Sequence, residues 1–98
     1  MAKPFFVYML RCRNASYYVG HTDDLRVRLI QHRAGTYGGH TSRLRPVELV
    51  WFAEVPTRLE ALEGEMRIKN WSRAKKEALA AGDWQRLKRL ARGPNRRS

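Results

Sequence analysis

Residues 5–32 read FFVYMLRCRNASYYVGHTDDLRVRLIQH, and this segment predicts the centre of the fold. Phe5 to Arg11 is an apolar run with three aromatic residues and a valine, which is typical of a strand. The short run from Asn14 to Ser16 indicates a turn, and Tyr17 to His21 regains β character. The two runs are therefore expected to pair as a hairpin.

The rest of the chain predicts one more strand and several helices. Aspartates and a threonine precede the first helix, and Thr57 with Glu60 has the spacing of a capping box before the second. Glycines and prolines separate the periodic segments. The predicted elements are, in order, a helix from about Asp24 to Ala34, a glycine-rich loop from Thr36 to Arg45, a strand from Val47 to Val55, a helix to about Asn70, a helix from Ser72 to Ala80, and one or two helical turns from Trp84 to Ala91.

This order, ββαβαα, predicts an α+β fold in which helices flank a three-stranded antiparallel sheet. With 98 residues, the chain has room for a single domain, which we expect to cover residues 1–92. Residues 93–98 hold no core-forming side chain and are expected to form a flexible basic tail. The glycines do not follow the spacing of a nucleotide-binding loop.

Cysteine content and hydropathy limit the cellular location. The single cysteine, Cys12, excludes an internal disulfide and fits a reducing compartment, and its expected role is packing within the hairpin. The apolar run from Phe5 to Leu10 is too short for a signal-peptide core or a membrane span. The sequence therefore predicts a cytoplasmic protein.

Positive charge is concentrated in the last third of the chain. The net charge is +11, and residues 67–98 contribute eleven Lys and Arg against two Asp and Glu. An excess of this size indicates a polyanionic partner, and nucleic acid is the expected one. An acidic membrane surface and simple solubility are the alternative interpretations.

Arg28 and His32 lie one helical turn apart. On a helix they fall within about 100° of Leu25 and Leu29, beside the face that packs on the sheet. Charged side chains at such a boundary need a partner. Taken singly, each residue is better explained in structural terms, Arg28 by resting its stem on the core and His32 as a hydrogen-bonded boundary histidine.

Glu65 is an acid on the apolar side of the later helix. It falls between Ala61 and Leu62, on the side that we expect Leu59, Leu62, Met66, Ala61 and Ile68 to form. An acid in that position is paired or binds a cation. A salt bridge to a neighbouring arginine is the structural alternative.

Tyr8 and Tyr18 belong to the two strands of the predicted hairpin. Strand alternation places Tyr8 on the face of Phe6 and Leu10, and Tyr18 on the face of Gly20. Aromatic packing across the strands explains them in structural terms. A glycine at the strand end also leaves room for a ligand to approach.

Taken together, these residues resemble the GIY-YIG nuclease superfamily, and in particular its small single-domain bacterial branch. Phe6-Val7-Tyr8 is similar to the first tripeptide, and Tyr18-Val19-Gly20 is a close copy of the second. The stretch that follows resembles the approach to the catalytic arginine and assigns it to Arg28 rather than Arg26. Two departures are Phe6 in place of a glycine, and Glu77 near the spacing where the family often has an asparagine.

The resemblance implies a metal-dependent endonuclease that hydrolyses phosphodiesters, with DNA as the expected substrate and repair or recombination as the setting. It implies a catalytic group of Tyr8, Tyr18, Arg28, His32 and Glu65. Glu65 would bind one divalent ion, Mg²⁺ or Mn²⁺, through oxygen. Tyr18 is the first choice for activating water, with Tyr8 as an auxiliary phenol, and Arg28 would hold the phosphate.

The basic residues of the later helices would contact phosphates without reading sequence. They are Lys69, Arg73, Lys75, Lys76, Arg86, Lys88 and Arg89. Among the tryptophans, Trp51 and Trp71 are expected in the core, and Trp84 is free to stack on unpaired bases. The alternative functions are a nucleic-acid-binding module of the same fold without activity, and a small protein-interaction domain.

Overall fold

The structure is a computed structural model, and it describes residues 3–37 and 39–92. The predicted basic tail, 93–98, lies outside the described residues. Three strands form one antiparallel sheet, β1 (Phe5–Arg11), β2 (Tyr17–Thr22) and β3 (Glu48–Val55), in the order β2-β1-β3. The predicted hairpin and the α+β class are confirmed.

The hairpin register brings the two tripeptides together. Tyr8 pairs with Gly20 across the β1–β2 ladder and with Phe52 on the other side. A Cβ atom added at Gly20 would lie 2.6 Å from the Tyr8 hydroxyl oxygen. The space at Gly20, which the sequence predicted to be open to an approaching ligand, is occupied by the Tyr8 side chain, so Gly20 is required for the close approach of Tyr8.

Five helices accompany the sheet in the part of the chain that the structure describes. The predicted caps are present, since Asp24 accepts a hydrogen bond from the Val27 amide, and Thr57 accepts one from Glu60. Gly35 ends the first helix in the left-handed conformation. The helices are α1 (Leu25–Ala34), α2 (His40–Arg43), α3 (Arg58–Lys69), α4 (Arg73–Ala81) and α5 (Trp84–Arg92).

Helix α2 was not predicted, because the segment from Thr36 to Arg45 reads as a glycine-rich loop. A single helical turn occupies its second half. Thr41 in this turn is buried, and it anchors the turn against α1 through a hydrogen bond to His32. A tertiary contact therefore stabilises a turn that has no propensity signal of its own.

The core has two parts, one on each face of the sheet. Val7, Met9 and Val19 pack with Ala61, Ile68 and Leu79 of the later helices. Tyr8 and Leu10 pack on the opposite face with Leu25 and Leu29 of α1. Cys12 is a buried free thiol in this second cluster, as predicted, and burial raises its pKa.

The packing of α3 corrects the predicted apolar side of that helix. Ala61 and Ile68 are buried, but Leu59, Leu62 and Met66 are exposed. Gly64 explains the difference, since a Cβ atom there would lie 2.9 Å from Val7 Cγ2. The small residues Ala61 and Gly64 face the sheet and let the helix approach closely, which turns the larger side chains outward.

Helix α5 covers the predicted segment from Trp84 to Ala91, extends it by one residue to Arg92, and packs on α4. Trp84 at its start is 55% exposed, whereas Trp51 and Trp71 pack against the core as expected. Within residues 3–37 and 39–92, no helix is long and apolar enough to cross a membrane.

Candidate active site

The predicted phenols and the histidine meet beside the edge strand β2. The Tyr8 hydroxyl forms a hydrogen bond of 2.8 Å with Nε2 of His32. The ring of Tyr18 lies 6.3 Å from that of Tyr8 and 5.2 Å from that of His32, measured between centroids. Tyr8 is fully buried and Tyr18 is partly exposed, so Tyr18 is the phenol nearer the surface.

His32 is completely buried, which is deeper than the boundary position predicted for it. Its second ring nitrogen, Nδ1, forms a hydrogen bond of 2.8 Å with Oγ1 of Thr41. Burial, together with the positive charge of Arg28, lowers the pKa of His32 to about 4. His32 is therefore neutral at pH 7, and both of its nitrogens are occupied.

The two tyrosines are poor acids in the free protein. Burial is the main reason that the pKa of Tyr8 is raised well above its usual range. Burial, with Tyr37 and the negative charge of Glu65, raises the pKa of Tyr18 to about 12. Arg28 acts in the opposite direction on both phenols. Both phenols are therefore protonated at pH 7.

Arg28 extends from α1 over the same region. Its guanidinium carbon lies 4.2 Å from the centroid of the Tyr37 ring, in a cation–π contact. Nε donates to Gln31 Oε1 at 3.2 Å, and Nη1 donates to the carbonyl of His21 at 3.5 Å. Tyr37, which the sequence interpretation did not include, thus holds Arg28 on one side and touches His32 on the other.

Glu65 extends from α3 and reaches β2 on the side opposite to α1. Nδ1 of His21 donates to Oε1 at 2.6 Å, and Nζ of Lys69 donates to Oε2 at 2.7 Å. Burial acts to raise the pKa of Glu65, but these two hydrogen bonds outweigh it and the pKa is lowered. The acid is paired, although with a histidine and a lysine rather than the arginine of the structural alternative.

The residues around Glu65 limit the kind of metal that fits. In the described part of the chain, no three His, Cys, Asp or Glu side chains are grouped to hold an ion. A closed structural zinc site therefore does not fit. An ionised carboxylate with a 14% exposed side chain fits an ion that keeps most of its waters, as Mg²⁺ does.

The predicted phosphate-contacting residues are divided between three helices. Lys69 is paired with Glu65, and Arg73 on α4 bonds to Glu77 and donates to the carbonyl of Ala15. Lys75 packs over Trp71, and Lys76 is half-buried with a pKa lowered by burial and by the charge of Lys69. The remaining residues, Arg86, Lys88 and Arg89, lie on α5.

The α+β architecture thus brings two tyrosines, an arginine and a glutamate together around β2. Comparison with protein families matches residues 4–78 to the GIY-YIG catalytic domain. The chain therefore belongs to the GIY-YIG family.

Close relatives confirm the small single-domain branch. A UPF0213 protein of Vibrio cholerae is 41% identical over 83 residues, which covers 84% of this chain and 82% of the relative. One from Bacillus pumilus is 40% identical over 72 residues, or 74% of each chain. The NMR structure of a UPF0213 protein of Bacillus halodurans has a TM-score of 0.50 at 32% identity, covering 95% of this chain and 90% of the other.

Proposed function

We propose that the protein is a metal-dependent endonuclease that hydrolyses phosphodiester bonds of DNA with little sequence preference. The observation that carries the proposal is the meeting of three kinds of group around one edge strand. Tyr18 lies on β2, Arg28 comes from α1 with a bond to the His21 carbonyl, and Glu65 comes from α3 with a bond to the His21 ring. A structural role alone does not require an ionised acid and a guanidinium beside the same exposed strand edge.

Arg28 is the proposed phosphate-binding group. A planar guanidinium donates two parallel hydrogen bonds to phosphate oxygens, which a lysine does not. The Tyr37 ring restrains the guanidinium without using its N–H groups. Donors remain for the phosphate and for the charge that develops in the transition state, and loss of such a donor lowers the rate by about 10²–10³.

Tyr18 is the proposed contact for the attacking water, because it is the phenol nearer the surface. Its pKa of about 12 is raised in part by the charge of Glu65. Glu65 would hold a divalent cation, whose positive charge would neutralise this carboxylate, lower the pKa of Tyr18 and offset charge on the scissile phosphate. Tyr8 and His32 form the buried support behind Tyr18.

Glu65 Oε2 is the proposed metal-binding oxygen. The Lys69 side chain on this oxygen is 55% exposed, and such i,i+4 pairs contribute only about 0.3–0.5 kcal/mol. The His21 hydrogen bond to Oε1 is shorter and more buried than the Lys69 bond to Oε2. We expect it to keep the carboxylate oriented when a metal ion displaces Lys69 from Oε2. Glu65 would hold Mg²⁺ or Mn²⁺ through this one carboxylate, and such an ion would take its remaining oxygen ligands from water and phosphate.

The test is a cleavage assay at low salt on supercoiled plasmid and on flap, fork and single-stranded DNA, with Mg²⁺, Mn²⁺ or chelator. We expect nicking by the wild type with metal only, and its loss in Glu65→Gln and Arg28→Ala. Glu63→Gln is the matched control, because it removes an exposed acid from the same helix. Cleavage that persists in Glu65→Gln or in chelator would refute the proposed site.

A binding module without activity is the second candidate, and the basic later helices favour it as much as they favour an enzyme. It predicts DNA binding by the wild type with no cleavage of any substrate, and no change in affinity in Glu65→Gln. Gel-shift titrations of the same variants distinguish the two functions.

A further inference from the structure

Thr41 is a buried polar residue with no role in the proposed reaction so far. It lies in the unpredicted helix α2, its exposure is 1%, and its hydroxyl touches Nδ1 of His32 at 2.8 Å. The same hydroxyl donates to the backbone carbonyl of Tyr37 at 3.4 Å. A chain of hydrogen bonds thus runs from Tyr8 through His32 and Thr41 to Tyr37.

The Tyr37 carbonyl sets the direction at one end of this chain. A carbonyl only accepts, so the single hydroxyl proton of Thr41 is used there. The Thr41 oxygen then has only lone pairs to offer to His32, and Nδ1 must carry the imidazole proton. In a neutral imidazole this leaves Nε2 as the acceptor, facing the Tyr8 hydroxyl.

Arg28 sets the same direction at the other end. The positive charge of Arg28 acts to lower the pKa of the Tyr8 phenol. Positive charge attracts the lone pairs of the Tyr8 oxygen and repels its proton, which therefore points to Nε2 of His32 at 2.8 Å. The carbonyl at one end and the positive charge at the other favour the same arrangement of protons.

We propose that Thr41 is a positioning residue that holds His32 in the Nδ1-protonated tautomer, so that the Tyr8 hydroxyl donates to Nε2 and keeps its lone pairs turned toward the charge of Arg28. This inference rests on the proposed function, in which Arg28 binds the scissile phosphate. It assigns a role to a residue outside the proposed catalytic group, and to helix α2, which carries that residue.

Removal of the Thr41 hydroxyl reverses the preference of His32. Valine has nearly the same shape, but it leaves Nδ1–H buried without an acceptor. The tautomer protonated at Nε2 has no N–H at Nδ1, so no buried donor lacks an acceptor there. Its Nε2–H donates to the Tyr8 oxygen instead. The Tyr8 proton then points toward Arg28, where two donors face each other, and the guanidinium moves away from its phosphate-binding position.

The direct test is NMR of the ¹⁵N-labelled protein, which reads the protonation of both His32 nitrogens. We expect the wild type and Thr41→Ser to show a protonated Nδ1 and an unprotonated Nε2. Thr41→Val should show the opposite tautomer or a mixture. Thr36→Val is the matched control, because it removes an exposed threonine hydroxyl that bonds to a backbone carbonyl.

The kinetic test distinguishes two kinds of defect. A misplaced Arg28 lowers kcat, whereas weaker DNA binding by the rest of the surface raises KM. Loss of a residue that orients a functional side chain through a hydrogen bond typically lowers activity by about 10–100-fold, so we expect a fall of that size in kcat for Thr41→Val, with KM nearly unchanged. Thr41→Ser should recover most of the rate. Circular dichroism of each variant at 25 °C confirms that the fold is retained.

The outcomes distinguish this inference from the proposed function. A wild-type His32 protonated at Nε2 overturns the inference whatever the activity, and needs no variant. An unchanged tautomer in Thr41→Val also overturns it. If no substrate is cleaved but the tautomer changes as expected, the proposed function fails while the assignment of Thr41 as the residue that orients His32 stands.

Discussion

His32 should make the stability of this protein depend on pH over a defined range. Its pKa falls from 6.5 to about 4 on folding, because the ring is buried and lies near Arg28. In the unfolded chain His32 binds a proton below pH 6.5, but in the folded protein it does so only near pH 4. The stabilising contribution is therefore fully present above pH 6.5 and is lost as the pH falls toward 4.

The size of the effect follows from the two pKa values. Each pKa unit corresponds to 1.36 kcal/mol, so the free energy of unfolding should fall by about 2 kcal/mol at pH 5 and by about 3 kcal/mol at pH 4. The neighbouring phenols Tyr8 and Tyr18 have raised pKa values and stay neutral throughout. Glu65 has a lowered pKa, so its stabilising contribution is lost below the ordinary carboxyl range.

The assay is urea denaturation followed by circular dichroism between pH 7.5 and 4.5, for wild type and two variants. His32→Gln removes the titrating group and should flatten the pH dependence, even if its stability at pH 7 is lower. His40→Gln is the control, because His40 is exposed at the start of α2. Its pH dependence should match that of the wild type.

The comparison of slopes decides the result. Equal slopes for wild type and His32→Gln would mean that His32 protonates as easily in the folded protein as in the unfolded chain. That outcome would refute the burial argument, and with it the neutral imidazole on which the Tyr8 hydrogen bond depends.

Three further predictions follow from other contacts. Gly20→Ala should lower stability by about 1–3 kcal/mol and abolish cleavage, because its Cβ atom would lie 2.6 Å from the Tyr8 hydroxyl; a wild-type melting temperature would contradict this. Lys69→Met should tighten Mn²⁺ binding by about twofold in calorimetry, since it frees a carboxylate oxygen from a weak surface pair, and weaker binding would argue against metal at that oxygen. The double variant Lys88→Ala, Arg89→Ala should lower the slope of log affinity against log salt for duplex DNA by about 2, and an unchanged slope would exclude α5 from the interface.

Local signals in the sequence determined most of the elements of this protein. The hairpin, the caps at Asp24 and Thr57, and the break at Gly35 depend on residues within a few positions of one another, and all are present. The resemblance to the GIY-YIG family rests on similarly short motifs, and family comparison confirms it.

Contacts between distant residues were decided by the tertiary structure alone. The Tyr8–His32 and His21–Glu65 bonds join residues 24 and 44 positions apart, and no local pattern predicts which partner each side chain finds. The large side chains of α3 point outward because Gly64 allows close packing on Val7, which hydrophobic periodicity does not anticipate. Thr41 carries no sequence signal, because its hydroxyl acquires a role only when α2 packs beside a buried histidine.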